Sequence, residues 1–166
     1  GLADINSTNP VGKDLLLDEI QNGKAEFDKL VDSSDLLPEE QKKSFQESVR
    51  RKAAEAEDAI QKLDVNAATA EQAEVIQEQA VTEEDKFFKF IASSTVDFTL
   101  AAKLADLEAN PNLSEAEKKA VRGEIEQVVE TAKKAIEGAD SQEIYDRAKE
   151  TAIAHLAKIH PILDFI

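Results

Sequence analysis

Apolar residues recur at alternating three- and four-residue steps along most of the chain, which is the spacing of one face of an α-helix. The clearest stripe is formed by Phe45, Val49, Ala53, Ala56, Ile60 and Leu63. Similar stripes lie before it, over residues 15–31, and after it, from residue 73 onwards. The alternating Val, Ile and Thr patterns typical of strands do not occur. The pattern therefore predicts an all-α protein.

Two polar segments look like the end of one helix followed by the start of the next. In SSDLLPEEQKKS, residues 33–44, Pro38 suits a first helical turn because its missing N–H is not needed there. In ANPNLSEAEKKA, residues 109–120, Ser114 is a good N-cap and Glu117 stands at the capping-box position. Each segment is therefore predicted to join two helices.

These two segments belong to a repeat with an offset of 76 residues. The offset places Leu37 on Leu113 and Ile60 on Ile136, and it aligns the apolar stripe of the first copy with that of the second. Because cap, loop and stripe positions agree together without a gap, we interpret the chain as a duplication.

The predicted fold class is all-α, with two tandem three-helix bundles in series. We expect a flexible leader over 1–11, repeat 1 over 12–88, repeat 2 over 89–160, and a tail or the start of a further unit over 161–166. The bundles would be joined by a shared or kinked helix around residues 82–104. A continuous helix with a kink near 93–95 is favoured, and a break capped by Ser94 is the alternative.

Four of the seven Phe residues fall within this junction. The candidate structural core is formed by Phe45, Val49, Ile60, Val121, Ile125 and Ile136. The Phe cluster is predicted to pack the junction. The alternative is a binding pocket for an apolar ligand, formed by Phe87, Phe88, Phe90, Ile91 and Phe98.

Composition limits the classes of partner. The formal net charge is −15, which argues against binding the phosphates of nucleic acid and against docking on anionic lipid. The absence of Cys excludes disulfides and thiolate chemistry, and no apolar run is long enough to span a membrane. The absence of Met, including an initiator Met, leads us to expect a processed chain or an excised piece of a longer protein.

Candidate catalytic or metal-binding groups are few. His155 and His160 are five residues apart, so they would point to different sides of a helix and could not share a metal ion. The charge run Glu83–Asp85 is interpreted as the compensation of a helix dipole at a helix start. Asn6 and Asn112 match the glycosylation pattern, which we attribute to chance. We expect no enzymatic activity, no catalytic residues, no metal and no cofactor.

Residues 104–159 resemble the helical tandem repeats of Gram-positive cell-wall-anchored surface proteins. The resemblance is strongest to the DUF1542 type and weaker to the related FIVAR and Ebh-like modules. NPNLSEAEK, AIEGADSQEI and AIAHLAKI match that pattern in order, and residues 13–88 match it more loosely through LLPEEQKK, AIQKLD and ATAEQAEV. The Phe-rich junction and the limited similarity between the two units depart from the pattern.

This resemblance implies a stalk or spacer segment of an extracellular, cell-wall-anchored surface protein. It also implies an adhesin role, in which the segment binds a host or cell-surface protein of unknown identity. A shorter stretch, AAKLADLEANPNLSEAEKK, is similar to the nematode SXP/RAL-2-type secreted helical proteins. It supports an alternative function, a secreted small helical carrier with its apolar ligand at the Phe-rich region.

Overall fold

The computed structural model describes residues 13–63 and 69–159, of which 86% are helical and none belongs to a strand. The five helices are α1 (Lys13–Asp32), α2 (Glu39–Gln61), α3 (Ala70–Glu108), α4 (Glu115–Glu137) and α5 (Gln142–Lys158). The predicted all-α class is confirmed. The predicted leader and tail lie outside the described residues, as do Asn6 and His160.

Side-chain caps begin three of these helices. Ser114 accepts a hydrogen bond from the Glu117 amide while the Glu117 carboxylate accepts one from the Ser114 amide, which is a complete capping box for α4. Thr69 accepts from the Gln72 amide at the start of α3, and Ser141 caps α5. The N-cap of α2 is Pro38, which makes no side-chain cap.

The long helix α3 runs through the predicted junction without interruption. Its 39 residues correspond to about 58 Å at 1.5 Å per residue. The alternative of a break at Ser94 is therefore not what is observed. The hydroxyl of Thr95 donates to the carbonyl of Ile91 at 2.7 Å, and that of Thr99 donates to the carbonyl of Thr95 at 2.8 Å. These bonds give the two hydroxyls a hydrogen-bond partner inside the helix.

Two hydrophobic clusters lie against α3. The first joins α1 and α2 to α3, and the second joins α4 and α5 to α3. Within the described residues, the α1–α2 hairpin and the α4–α5 hairpin do not pack closely against each other, and both hairpins touch α3. Phe88 packs against both clusters.

The two clusters overlap along α3. The first uses α3 from Ile76 to Ala105, and the second uses it from Phe88 to Leu107. The aromatic pair Phe45–Phe98, with ring centroids 5.6 Å apart, brings the first hairpin onto the second half of α3. The contacts therefore describe two hairpins that flank a common helix and overlap along it, so the predicted arrangement of two three-helix bundles in series is not confirmed.

The helices reproduce the offset of 76 residues. Helices α2 and α4 both have 23 residues, and their first residues, Glu39 and Glu115, are equivalent under this offset. Helix α1 is equivalent in the same way to residues 89–108 of α3. Leu37 and Leu113 are each 7% exposed, so equivalent positions also share their burial.

The six residues of the predicted structural core lie in the two clusters or against them. Val49 and Ile60 are buried in the first cluster, and Ile125 and Ile136 are buried in the second. The half-buried positions are Phe45 and Val121, which are also equivalent under the offset. The same position is thus filled by an aromatic side chain in the first hairpin and by an aliphatic one in the second.

Candidate functional site

The five residues proposed for an apolar ligand pocket lie on different sides of α3. Phe87 and Phe98 are buried in the first cluster, where they are 0% and 5% exposed. Phe88 and Ile91 line a groove of about 350 Å³ between α1 and α5. Phe90 lines a cleft on the side where α2 and α4 flank α3. The structure therefore does not bring this set together in one pocket, because two of its members are buried in the core and the other three line two separate grooves.

The cleft between α2 and α4 is rich in lysine. Lys52 of α2, Lys86 and Lys89 of α3, and Lys133 of α4 surround a volume of about 540 Å³. We call this site the lysine cleft. Phe45 and Phe90 supply its apolar surface, and the ammonium of Lys52 lies 5.7 Å from the centroid of the Phe90 ring. The cleft thus combines cationic groups with an aromatic floor.

Two of these lysines are held by polar contacts inside the cleft. The ammonium of Lys133 donates to Oδ2 of Asp97 at 3.0 Å. The ammonium of Lys89 donates to the main-chain carbonyl of Glu137 at 3.3 Å, at the last residue of α4. Because helix carbonyls are unpaired at a C-terminus, this is a favourable place for a cation. Both contacts connect α3 to α4 across the cleft.

A buried carboxyl lies where α1, α3 and α5 meet. Glu84 is 9% exposed, and its Oε2 has no hydrogen-bond partner. Burial raises the pKa of Glu84 to about 7, and the nearby charges of Glu19 and Asp85 raise it further in the same direction. The hydroxyl of Tyr145 donates to Oδ1 of Asp85 at 3.3 Å. Burial, the charges around it and this hydrogen bond also raise the pKa of Tyr145.

The interpretation of Glu83–Asp85 as a helix start was wrong. These residues lie inside α3, more than a turn beyond its start at Ala70, so the helix dipole does not explain them. Glu84 was missed because its burial depends on α1 and α5 packing over it. A signal did exist, since Glu84 and Phe87 lie three residues apart and share a helix face.

A third groove, of about 460 Å³, lies between α4 and α5. It is lined mainly by apolar and small side chains, including Val128, Ala135, Ile144 and Ala148. Arg147 and His155 also border it, and His155 is exposed. Within the described ranges, no cluster of His, Cys, Asp and Glu could hold a metal ion. Asn112, which matches the glycosylation pattern, is exposed in the loop before α4.

The comparisons with known proteins bear on the second half of the chain. Residues 89–163 match the family model DUF1542, described as a domain of unknown function. This part of the chain is similar to the DUF1542 family, and we call it the DUF1542 segment. The resemblance expected from the sequence is therefore confirmed. No curated protein and no solved structure is significantly similar to the chain.

The DUF1542 segment includes the second half of α3 and all of α4 and α5. It therefore contributes Phe90, Lys89 and Lys133 to the lysine cleft, whereas Lys52 comes from α2 of the preceding hairpin. The whole groove between α4 and α5 lies within the DUF1542 segment. In the described part of the chain, no helix is long and apolar enough to cross a membrane.

Proposed function

We propose that this chain is a non-enzymatic helical repeat segment of an extracellular, cell-wall-anchored surface protein. In this role it acts as a spacer built from two repeated helical hairpins on one shared helix, α3, and it presents a surface to a host or cell-surface protein. The observation that carries the proposal is the unbroken α3, which belongs to both hydrophobic clusters.

A shared helix gives a spacer its stiffness. Residues 70–86 of α3 correspond in length to α5, and residues 89–108 correspond to α1. The third helix of one unit thus continues into the first helix of the next, with no loop that could act as a hinge. Bending between the units would require α3 to break, and this would expose apolar surface of both clusters to water.

The surface charge and the repeat also support a spacer. A net charge of −15 keeps a surface segment soluble and opposes its collapse onto neighbouring copies. The match to DUF1542 is compatible with a repeat of a surface protein.

We propose that the chain acts through its surfaces and without catalysis. Glu84, the carboxyl with a pKa raised to about 7, is buried between helices and lines neither of the grooves beside α3. This burial supports the proposal that the carboxyl does not act on a substrate. The proposal includes no cofactor, no nucleic acid and no insertion into a membrane.

The rigidity of the two units can be measured with spin labels, because the chain has no native cysteine. Arg50→Cys on α2 and Glu126→Cys on α4 are exposed positions that are equivalent under the 76-residue offset. We expect electron–electron distance measurements on this pair to give a single narrow distribution.

A reference pair within one hairpin sets the scale of that width. Glu126→Cys and Glu150→Cys lie on α4 and α5, and both are exposed. The pair between the hairpins should give a distribution about as narrow as the reference. A distribution several times broader, or two populations, would mean that the units move independently, and the chain would then not be a stiff spacer.

The location can be tested separately. Antibodies raised against the folded chain should label intact cells of the source organism without permeabilisation. Labelling only after permeabilisation would exclude the surface location.

A further inference from the structure

The residues that line the lysine cleft include more cations than anions, although the protein as a whole is acidic. Four lysines line it, against two carboxylate residues, Asp97 and Glu137, whereas the whole chain carries 35 acidic and 20 basic residues. We propose that this cleft binds an acidic peptide segment of a partner protein. The carboxylates of the peptide would contact the lysines, and one of its apolar side chains would lie on Phe90.

The cleft lies between the two hairpins, over the helix that they share, and is not a feature repeated in each of them. Under the 76-residue offset, Lys52 corresponds to Val128 and Lys133 corresponds to Glu57. A cation in one unit is thus replaced by an apolar residue or by an anion in the other. The charges converge because α2 and α4 flank the same stretch of α3. This site goes beyond the spacer role, which does not require it.

The lysines are accessible to a ligand. The side chains of Lys52, Lys86 and Lys133 are 36%, 62% and 44% exposed. Their present partners are Glu55 for Lys52, Glu83 for Lys86 and Asp97 for Lys133. The first carboxylate is exposed and the other two are half-exposed. Exposed ion pairs of this kind contribute about 0–1 kcal/mol each, so a peptide carboxylate can replace them.

The aromatic floor adds an anchor for an apolar side chain. Phe90 is half-buried, and its ring lies under the ammonium of Lys52. An apolar side chain of the peptide that packs on Phe90 would shield part of the ring from water. The carboxylates next to it in the peptide would then contact the lysines. The volume of about 540 Å³ is within the range of pockets that bind small ligands, so it can hold one side chain and the groups next to it.

An acidic peptide fits better than a nucleic acid. A polynucleotide carries a charge at every step of its backbone. It would extend beyond the cleft onto a surface whose net charge is strongly negative. A peptide can confine its charges to the few residues that face the lysines.

The test is fluorescence anisotropy with a short labelled peptide in which glutamates flank one central leucine. The cleft variant is Lys52→Gln with Lys133→Gln. The matched control is Lys43→Gln with Lys119→Gln, which removes the same charge from exposed positions of the same two helices. We expect the cleft variant to bind the peptide about tenfold more weakly or worse, and the control to bind within about twofold of the unaltered chain.

Equal affinity for the cleft variant and the control would overturn the proposal, and so would an absence of binding by the unaltered chain. A glutamine version of the peptide should bind at least tenfold more weakly than the glutamate version. If a single-stranded oligonucleotide bound the cleft as tightly as the peptide, the assignment to a peptide would be wrong. None of these binding results would change the spin-label distances. The spacer proposal is therefore tested independently of the peptide proposal.

Discussion

At Glu84 the fold holds a carboxyl where its ionisation is unfavourable. The pKa of Glu84 rises from an ordinary value of 4.5 to about 7 because burial disfavours the charged form, and Glu19 and Asp85 add to this. Between these two pH values the folded state retains a proton that the unfolded state has lost. The contribution of Glu84 to stability is therefore most favourable below pH 4.5, declines as the pH rises towards 7, and stays low above it.

We expect Glu84→Gln to stabilise the protein at pH 8 by about 1–2 kcal/mol, since an amide carries no charge but must still be desolvated. At pH 5, where Glu84 is protonated in the folded state, the variant should match the unaltered chain closely. Urea unfolding at both pH values measures the difference. Glu74→Gln, at an exposed position of α3, is the control, and its effect on stability should be the same at both pH values. Equal stability of the Glu84 variant and the unaltered chain at pH 8 would contradict this account.

Of the described glycines, Gly23 leaves the least room for a side chain, because α1 lies close to α3 there. A Cβ at this position would come within 2.8 Å of the ring of Phe88 and 3.3 Å of Ile91. A shift of Phe88 would disturb its packing, because it contacts both hydrophobic clusters and its ring centroid lies 5.3 Å from that of Phe87. A Cβ at Gly123 on α4 would meet nothing within 4 Å.

These two glycines should therefore respond in opposite ways to the same substitution. Gly123→Ala should stabilise the chain by up to about 1 kcal/mol, which is the helix propensity of alanine over glycine. Gly23→Ala gains the same propensity but overpacks the junction, and we expect a net loss of about 1 kcal/mol. Thermal unfolding of both variants measures the two signs. A gain at Gly23 would show that Phe88 yields without strain.

At the scale of the helices, most of the element pattern could be predicted from the sequence. The stripe around Val49 and the caps at Thr69 and Ser114 depend on residues close together in the chain. Local signals of this kind predicted α2 and α4 and their equivalence under the offset. The fused α3 was also expected, because no loop residues separate the two units there.

The capping box of α4 offers a test of how much a local signal contributes to the fold. Hydrogen bonding to Ser114 lowers the pKa of Glu117, which indicates that this carboxylate is held by the cap. We expect Ser114→Ala to destabilise the chain by about 1 kcal/mol. Ser44→Ala, at an exposed position inside α2, should change the stability by no more than about 0.5 kcal/mol. Chemical unfolding of both variants gives the comparison, and equal effects would mean that the cap is dispensable.

The sequence could not show how the hairpins share α3. Their overlap depends on Phe98, Ala101 and Ala105, which extend the apolar surface used by the first hairpin into the second half of α3. Periodicity indicates which face of a helix is apolar, but it does not indicate which distant hairpin covers that face. The lysine cleft was missed for the same reason, since Lys52 and Lys133 are far apart in the sequence and no local pattern connects them.

At the scale of the whole molecule, the shared α3 should make the two hairpins unfold together. Residues between Phe88 and Ala105 lie in the stretch of α3 that serves both clusters. If the first hairpin detached, one face of α3 would be exposed to water along this stretch. The second hairpin would then be packed against a less stable helix. A helix in water without tertiary packing is only marginally stable, so damage to one cluster should weaken the other.

Ile60→Ala and Ile136→Ala form a matched pair for measuring this coupling. Both residues are 0% exposed and are equivalent under the 76-residue offset, and each substitution should cost roughly 2–5 kcal/mol. Native-state hydrogen exchange should then show that Ile60→Ala lowers the protection of α4 amides, and that Ile136→Ala lowers the protection of α2 amides. If each substitution lowers protection only in its own hairpin, α3 does not couple the clusters. In a spacer with uncoupled clusters, one hairpin could unfold while the other stays folded. In a spacer with coupled clusters, both hairpins would have to unfold together.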